Sequence, residues 1–140
     1  NGMVLWYAKA AVDNIGNYGT VLRDYYWKYP ALQPLMPFID AKVPKKPKKV
    51  KPVWTNDGYI LFWQQPKGSK WDDVVEKYVV YRFEDGERID LENPTKIVTI
   101  TGNTYYKLPF VDGNRKCIYV VTSLDKMSNE SKGSKKSVKL

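Results

Sequence analysis

A chain of 140 residues can hold one ordinary domain and an appendage, but it is too short for two full domains. Apolar residues make up 43% of the chain and aromatic residues 14%, which is enough apolar surface for a core and excludes a disordered protein. One cysteine and no histidine exclude an intramolecular disulfide, Ser-His-Asp and Cys-His catalytic groups, and zinc sites built from these residues. No apolar run approaches the roughly 18 residues that a transmembrane segment needs.

The formal net charge of +8 suggests an anionic partner until its distribution is considered. Six lysines and no acid lie between Lys42 and Lys51, and five lysines with one glutamate lie between Lys126 and Leu140. The rest of the chain is therefore slightly acidic, which does not indicate a basic groove built into the fold. We interpret the first run as a solvated linker and expect no specific nucleic-acid partner.

Residues 1–39 predict a short strand followed by a helix. The continuous apolar run Met3–Tyr7 has the pattern of a strand buried on both faces. After a loop, Asn17 is placed to cap a helix, and Pro30 disfavours helix from Tyr29 onward. We predict this helix over 18–29, because apolar residues recur there at the spacing of one helix face: Tyr18, Val21, Leu22, Tyr25 and Tyr29.

Residues 40–51 are predicted to be a connector. Prolines are frequent from Pro30 to Pro47, and proline opposes both helix formation and sheet pairing. Repulsion among the lysines of this segment stiffens it further. We expect an extended, solvated link between residues 1–39 and a domain over residues 52–140.

Residues 52–140 have the pattern of short strands separated by turns. The segments 56–58 and 84–87 place glycine where a turn needs a positive φ. Seven strands at this spacing predict a mainly β protein, an immunoglobulin-like β-sandwich. The predicted strands are Val53–Thr55, Tyr59–Gln64, Tyr78–Phe83, Ile97–Thr101, Thr104–Leu108, Cys117–Leu124 and a last one near Ser131–Val138.

Several segments of this zone resemble the fibronectin type III family. Leu61-Phe62-Trp63-Gln64-Gln65-Pro66 is similar to its second strand and Tyr78-Val79-Val80-Tyr81-Arg82 to its third. The strongest likeness is the sixth strand, Cys117–Asp125, with the turn Asn129-Glu130-Ser131 after it. The resemblance covers nearly all of residues 52–138 and implies a seven-stranded fibronectin type III-like sandwich. It departs at Cys117, where the family has a corner tyrosine, and we interpret Cys117 as a small buried hydrophobe.

A second resemblance covers parts of residues 2–34. Gly2–Tyr7, Leu22–Tyr29 and Pro30–Pro34 are similar to the end of the catalytic barrel in secreted bacterial glycosylhydrolase-like family ten proteins. In that family the last barrel strand and helix lead into a proline-rich connector and a type III-like module. The resemblance implies that the chain begins at the last strand of a (β/α)₈ barrel, without the loops that carry active sites. It also implies a secreted, periplasmic or cell-surface location, with lipoprotein anchoring through a missing N-terminus.

Alternation along the third and sixth strands predicts a docking face. A period of two places one set of side chains in the core, namely Tyr78, Val80, Cys117, Tyr119 and Val121. It places a second apolar set on the outer face, namely Val79, Tyr81, Phe83, Ile118 and Val120. Antiparallel sheets normally carry polar residues on a solvated face, so we expect this face to be covered. The expected neighbour is the helix over 18–29 or the upstream barrel.

Catalysis is not predicted for this chain. Glycoside hydrolysis needs two carboxylates held roughly 5 to 10 Å apart, whereas acids such as Asp72 and Glu87 lie in predicted turns or loops. No cofactor and no metal site are predicted. The resemblances imply a non-catalytic, monomeric accessory domain that packs on or orients the upstream catalytic barrel of a glycan-degrading protein.

Two alternative functions stay open. A carbohydrate-binding module would stack polysaccharide on exposed aromatic side chains, for which Trp71 and Tyr105 are the candidates. A polyanion-binding module would use the lysine-rich linker and tail, and its binding would depend steeply on salt and not on base sequence.

Overall fold

The structure is a computed structural model that describes residues 7–67, 74–109 and 116–139. The predicted strand Met3–Tyr7, apart from Tyr7, and the candidate Trp71 lie outside the described residues. None of the helices in these ranges is long and apolar enough to cross a membrane.

The described chain begins with short helical turns instead of one helix. Helix α1 spans Lys9–Val12, a 3-10 turn spans Ile15–Asn17, α2 spans Tyr18–Val21, and a π-helical turn spans Leu22–Tyr26. The predicted helix therefore starts at the right residue and ends three residues earlier than predicted. It ends where the N–H of Trp27 donates to the carbonyl of Leu22 at 2.8 Å and Trp27 leaves helical geometry, with φ at −111°.

The cap of α2 comes from Asn14 and not from Asn17, which corrects the sequence prediction. Asn17 precedes α2, but its backbone is left-handed, with φ at 63°, and its side chain makes no capping hydrogen bond. Instead the Oδ1 of Asn14 accepts a hydrogen bond from the N–H of Thr20 at 2.9 Å. This bond satisfies an amide in the first turn of α2 that has no partner within the helix.

In the described part of the chain, seven strands form two antiparallel sheets, as the sequence predicts. The first sheet has the order β1-β2-β5 and the second the order β4-β3-β6-β7. The strands are β1 Lys48–Thr55, β2 Gly58–Gln64, β3 Lys77–Glu84, β4 Ile97–Thr101, β5 Tyr105–Lys107, β6 Lys116–Leu124 and β7 Ser134–Lys139.

The inner core lies between the two sheets. Leu61 and Trp63 of β2 meet the second sheet there, and Trp63 packs edge-on against Tyr78 with ring centroids 5.4 Å apart. All the side chains predicted to face inward lie in this core: Tyr78, Val80, Cys117, Tyr119 and Val121. Burial of each large side chain stabilises the fold by roughly 1.5–3 kcal/mol.

Strand β1 starts at Lys48, five residues earlier than predicted, so it begins inside the segment expected to be a connector. Its proline, Pro52, pairs with Leu61. Proline is tolerated here because β1 is an edge strand and one side of its backbone needs no partner. The pairing shifts register between Lys48 and Lys51, where Lys49 has a positive φ of 50°.

The two lysine runs meet in the fold, so the expectation that it contains no basic groove is wrong. The end of the connector lies beside β7, where the Ser134 hydroxyl donates to the Pro47 carbonyl at 2.6 Å. A groove between them is lined by Lys46, Lys48, Lys49 and Lys135. Sequence position could not show this, because the runs are separated by most of the sandwich.

We predict that Gly133→Ala destabilises the protein by about 1–3 kcal/mol. A Cβ at position 133 would lie 2.4 Å from Cγ1 of Val120, so β6 or β7 would have to shift. The free energy of urea unfolding measures this loss. Gly102→Ala is the matched control, since its Cβ would meet nothing closer than the Glu76 carbonyl oxygen at 3.8 Å. Equal stability of the two variants would contradict the packing described here.

Candidate docking face

The outer face of the second sheet carries the predicted apolar side chains. Tyr81 pairs with Val120 and Phe83 with Ile118, so the side chains of β3 and β6 form adjacent rows. Val79, Tyr81, Phe83 and Val120 are at most 2% exposed. Ile118 is half-buried at the edge of the same cluster. The face is therefore a second core, which we call the outer core.

Segments of the same chain cover the outer core. Leu32 and Leu91 pack against it, and Ile97 of β4 is buried beside Tyr81. Leu32 belongs to the proline-rich segment 30–51, which includes the predicted linker 40–51 and which we call the connector from here on. Leu91 lies between β3 and β4. The helical turns do not supply this cover in the described structure, and Tyr25 is 80% exposed. The described cover of this face thus comes from the connector and the loop between β3 and β4, and not from the helix over 18–29. The other expected neighbour, the upstream barrel, stays a prediction.

A half-buried carboxylate, that of Glu130, lies at the edge of the outer core. The hydroxyls of Tyr81 and Thr122 both donate to Oε1 of Glu130, at 2.8 and 2.6 Å. Burial first, and then the hydrogen bond to Glu130 and its negative charge, raise the pKa of Tyr81 far above its ordinary value of 10.0. Tyr81 therefore stays a neutral donor, and it ties β3 to the turn after β6.

The turn after β6, residues 125–131, joins the connector to the sandwich. Asp125 is buried, and its Oδ1 accepts hydrogen bonds from the N–H groups of Met127 at 2.8 Å and Asn129 at 2.9 Å. The Nδ2 of Asn129 donates to Oδ2 of Asp125 at 3.0 Å and to the Asp40 carbonyl at 3.2 Å. The turn is thus held by its own hydrogen bonds and binds the connector through Asn129.

A second bond from this turn holds the same connector. The Ser128 hydroxyl donates to Oε1 of Gln33 at 3.2 Å. Gln33 is adjacent to Leu32, so a polar contact and an apolar contact fix neighbouring residues of the connector. We call these contacts of Leu32, Gln33 and Asp40 the connector clamp.

Side-chain contacts hold the loop between β3 and β4 against the sheet. Lys96 forms an ion pair with Glu87 and lies 6.0 Å from the ring centroid of Phe83. The Lys96 hydrogen bond, and then the one from the Glu84 N–H at 3.0 Å, lower the pKa of the Glu87 carboxyl. These contacts hold the loop that carries Leu91 over the outer core.

The two-sheet arrangement is similar to that of solved structures. No protein-family model matches the chain. The crystal structure of FN3tt superposes with a TM-score of 0.51 at 19% identity, over 70% of this chain and 95% of that one. A structure of mutant FN3tt gives 0.50 at 20% identity, over 69% and 96%. The sandwich is fibronectin type III-like.

One curated relative is similar in sequence. Glycosyl hydrolase YngK of Bacillus subtilis (strain 168) is 33% identical over 120 residues, which is 83% of this chain. The match spans only 22% of that relative. The similarity therefore concerns a small part of the relative.

The sequence also indicated residues for roles other than docking. Tyr105 is 49% exposed on the outer side of the first sheet, and its ring centroid lies 6.1 Å from that of Phe62. The second stacking candidate, Trp71, is outside the described residues. Within those residues, no group of three or more His, Cys, Asp or Glu side chains could hold a metal ion. Cys117, at the corner position of the family, is fully buried in the inner core.

The sequence did not identify Leu32, Leu91 or Asn129 as part of the site. Leu32 is a single apolar residue among prolines, and no periodic pattern distinguishes it from a solvated linker residue. Asp, Ser and Asn from 125 to 129 are turn-forming residues, and this composition signals the turn but not its partner.

We predict that Tyr81→Phe reduces the loss of stability at alkaline pH. An unfolded tyrosine releases its proton near pH 10, whereas folded Tyr81 keeps it, so the unfolding free energy falls by up to about 1.4 kcal/mol per pH unit above 10. Tyr119, whose pKa burial raises to about 12, contributes in the same direction. Tyr81→Phe removes one such contribution, which urea unfolding at pH 9.5–11 should show as a shallower slope.

Thr122→Val is the control for this experiment. It removes the other donor to Glu130 but leaves the titrating hydroxyl of Tyr81 in place. It should lower stability at neutral pH by about 1–2 kcal/mol and keep the alkaline slope. A wild-type slope in Tyr81→Phe would show that Tyr81 does not hold its proton in the folded protein.

Proposed function

We propose that this chain is a non-catalytic accessory domain that fixes the orientation of a catalytic barrel in a glycoside hydrolase-like protein. The observation that carries the proposal is the connector clamp. Leu32 packs on the outer core, Gln33 accepts from Ser128, and the Asp40 carbonyl accepts from Asn129. A connector held at three positions is part of the sandwich, and a domain attached before it cannot swing freely.

The backbone of the connector is itself suited to this role. The N–H of Ile39 donates to the Met36 carbonyl at 2.9 Å, which makes a turn between the contacts of Gln33 and Asp40. Prolines restrict the unfolded connector, so less conformational entropy is lost when it is bound. Weak individual contacts are therefore sufficient to hold it.

The segment before the connector has a surface suited to a neighbouring domain. Tyr25, Tyr26 and Trp27 are 80%, 67% and 54% exposed. Adjacent exposed aromatic residues are unusual on a solvated surface and common where domains meet. This surface would contact the barrel, and the outer core of Val79, Tyr81, Phe83, Ile118 and Val120 would hold the connector behind it.

The glycan part of the proposal comes from sequence similarity. A relative named as a glycosyl hydrolase matches 83% of this chain, and residues 2–34 resemble the end of a barrel in family ten proteins. A secreted, periplasmic or cell-surface location, with a lipoprotein anchor, belongs to the same proposal. Polysaccharide would be the substrate of the barrel. For direct sugar stacking, Tyr105 beside Phe62 is the described candidate.

The test measures whether the connector fixes the helical turns relative to the sandwich. Spin labels on Tyr25→Cys and Asn56→Cys give their distance distribution by double electron–electron resonance. Both positions are exposed, and the native Cys117 thiol is too buried to react. We expect one narrow distribution, which Leu32→Ser broadens by about twofold or more because the clamp loses its apolar contact.

Leu35→Ser is the matched control, because Leu35 is 59% exposed in the same connector. It should leave the distance distribution unchanged. A broad distribution in the unsubstituted connector, or equal broadening by both substitutions, would refute the orienting role.

A further inference from the structure

The two lysine runs form one groove although they are far apart in the sequence. The first run enters β1 at the edge of the first sheet, and the second lies on β7 at the edge of the second sheet. The Ser134–Pro47 hydrogen bond joins the two edges, and Pro47 is fully buried between them. The resulting groove has a volume of about 580 Å³.

The groove is positively charged and uncompensated. Lys46, Lys48, Lys49 and Lys135 line it and are exposed, and no acid is among the described residues that line it. No ion pair joins these four lysines to an acid of the described chain. Four neighbouring cations at a partly enclosed surface raise the local concentration of an anion.

The backbone is shaped to bring these lysines together. In a regular strand only alternate side chains face one side, but here Lys48, Lys49 and Val50, the first three residues of β1, all line the groove. The register shift between Lys48 and Lys51 and the positive φ of Lys49 produce this arrangement. On the opposite wall, Gly133 lets β7 approach Val120, where a Cβ would lie only 2.4 Å away.

We propose that this groove binds an acidic polysaccharide, a linear glycan that carries carboxylate groups. Its floor is aliphatic, formed by Ile89, Leu91 and Val120, and no aromatic side chain is among its described lining residues. Base stacking, which gives proteins much of their affinity for single-stranded nucleic acid, is therefore unavailable. A glycan would be held here without ring stacking, because its carboxylates would bind the lysines and its uncharged sugar faces would contact the aliphatic floor.

The preference for a glycan over another polyanion rests in part on the proposed function. The lysines of the groove are separate from the connector clamp, since none of them takes part in it, although Leu91 and Val120 of its floor also belong to the outer core or its cover. A binding measurement on the 140-residue chain therefore reports on the groove and not on the orientation of a barrel.

The experiment measures binding of polygalacturonate by isothermal titration calorimetry, with dextran as the neutral polymer and oligo(dT) as the nucleic acid. We expect polygalacturonate to bind at about 20 mM NaCl, to bind about tenfold or more weakly at about 200 mM, and to exceed oligo(dT) in affinity. Dextran should not bind. The substitution of Gln for Lys46, Lys48, Lys49 and Lys135 should weaken binding by about tenfold or more.

The control variant carries the same loss of charge elsewhere. Gln replaces Lys9, Lys67, Lys77 and Lys139, which are exposed and do not line the groove. It should keep the affinity for polygalacturonate within about twofold. Absence of polygalacturonate binding, equal losses in the two variants, or tighter binding of oligo(dT) through the same lysines would each overturn the proposal.

Discussion

The structure depends on covering the apolar outer face of the second sheet. Strands β3 and β6 are central strands with large side chains on both faces, so the sheet cannot leave either face in water. Val79, Tyr81, Phe83 and Val120 together represent several kcal/mol of burial, at roughly 1.5–3 kcal/mol each. This is a large part of the roughly 5–15 kcal/mol that stabilises an ordinary domain. The loop with Leu91, the turn with Glu130 and the connector with Leu32 all meet that requirement.

Because the connector covers part of the outer core, the need to bury this face also bears on the proposed orienting role. If the connector were not bound, the outer core would be partly exposed. The sandwich is therefore most stable when the connector is bound. The proposed orienting role requires that the bound connector fix the position of the segment before it. The lysine-rich end of the connector is fixed as well, because the hydrogen bond between Ser134 and Pro47 joins it to β7 and forms the basic groove. One extended segment thus serves both the proposed orientation and the proposed glycan binding.

Much of the sandwich could be predicted from the sequence because its signals are local. Period-two alternation assigned Tyr78 and Tyr119 to one face and Tyr81 and Val120 to the other, and the structure confirms both assignments. The need for a cover also followed, since apolar residues on both faces exclude a wet side. The identity of the cover did not follow, because the contact of Leu32 depends on how the chain returns over the sheet.

The remaining errors come from backbone conformation and sheet order, which local sequence patterns do not determine. Asn17 had the right position for a cap, but its left-handed backbone left that role to Asn14. The first lysine run was interpreted as a solvated linker and no basic groove was expected, because the meeting of the two runs is a property of the sheet order. The connector was expected to extend to residue 51, whereas β1 starts at Lys48 at the edge of the first sheet. In each case the residue types indicated the right chemistry, and the backbone conformation or the sheet order determined the outcome.

Two truncated chains test most directly whether the connector is part of the fold. One comprises residues 31–140 and keeps the clamp, and the other comprises residues 42–140 and lacks it. The account predicts that the shorter chain unfolds in urea with a free energy lower by at least about 1.5 kcal/mol, from the lost Leu32 contact and two hydrogen bonds. It should also bind a hydrophobic dye on its exposed outer core. Equal unfolding free energies and no dye binding would contradict the account.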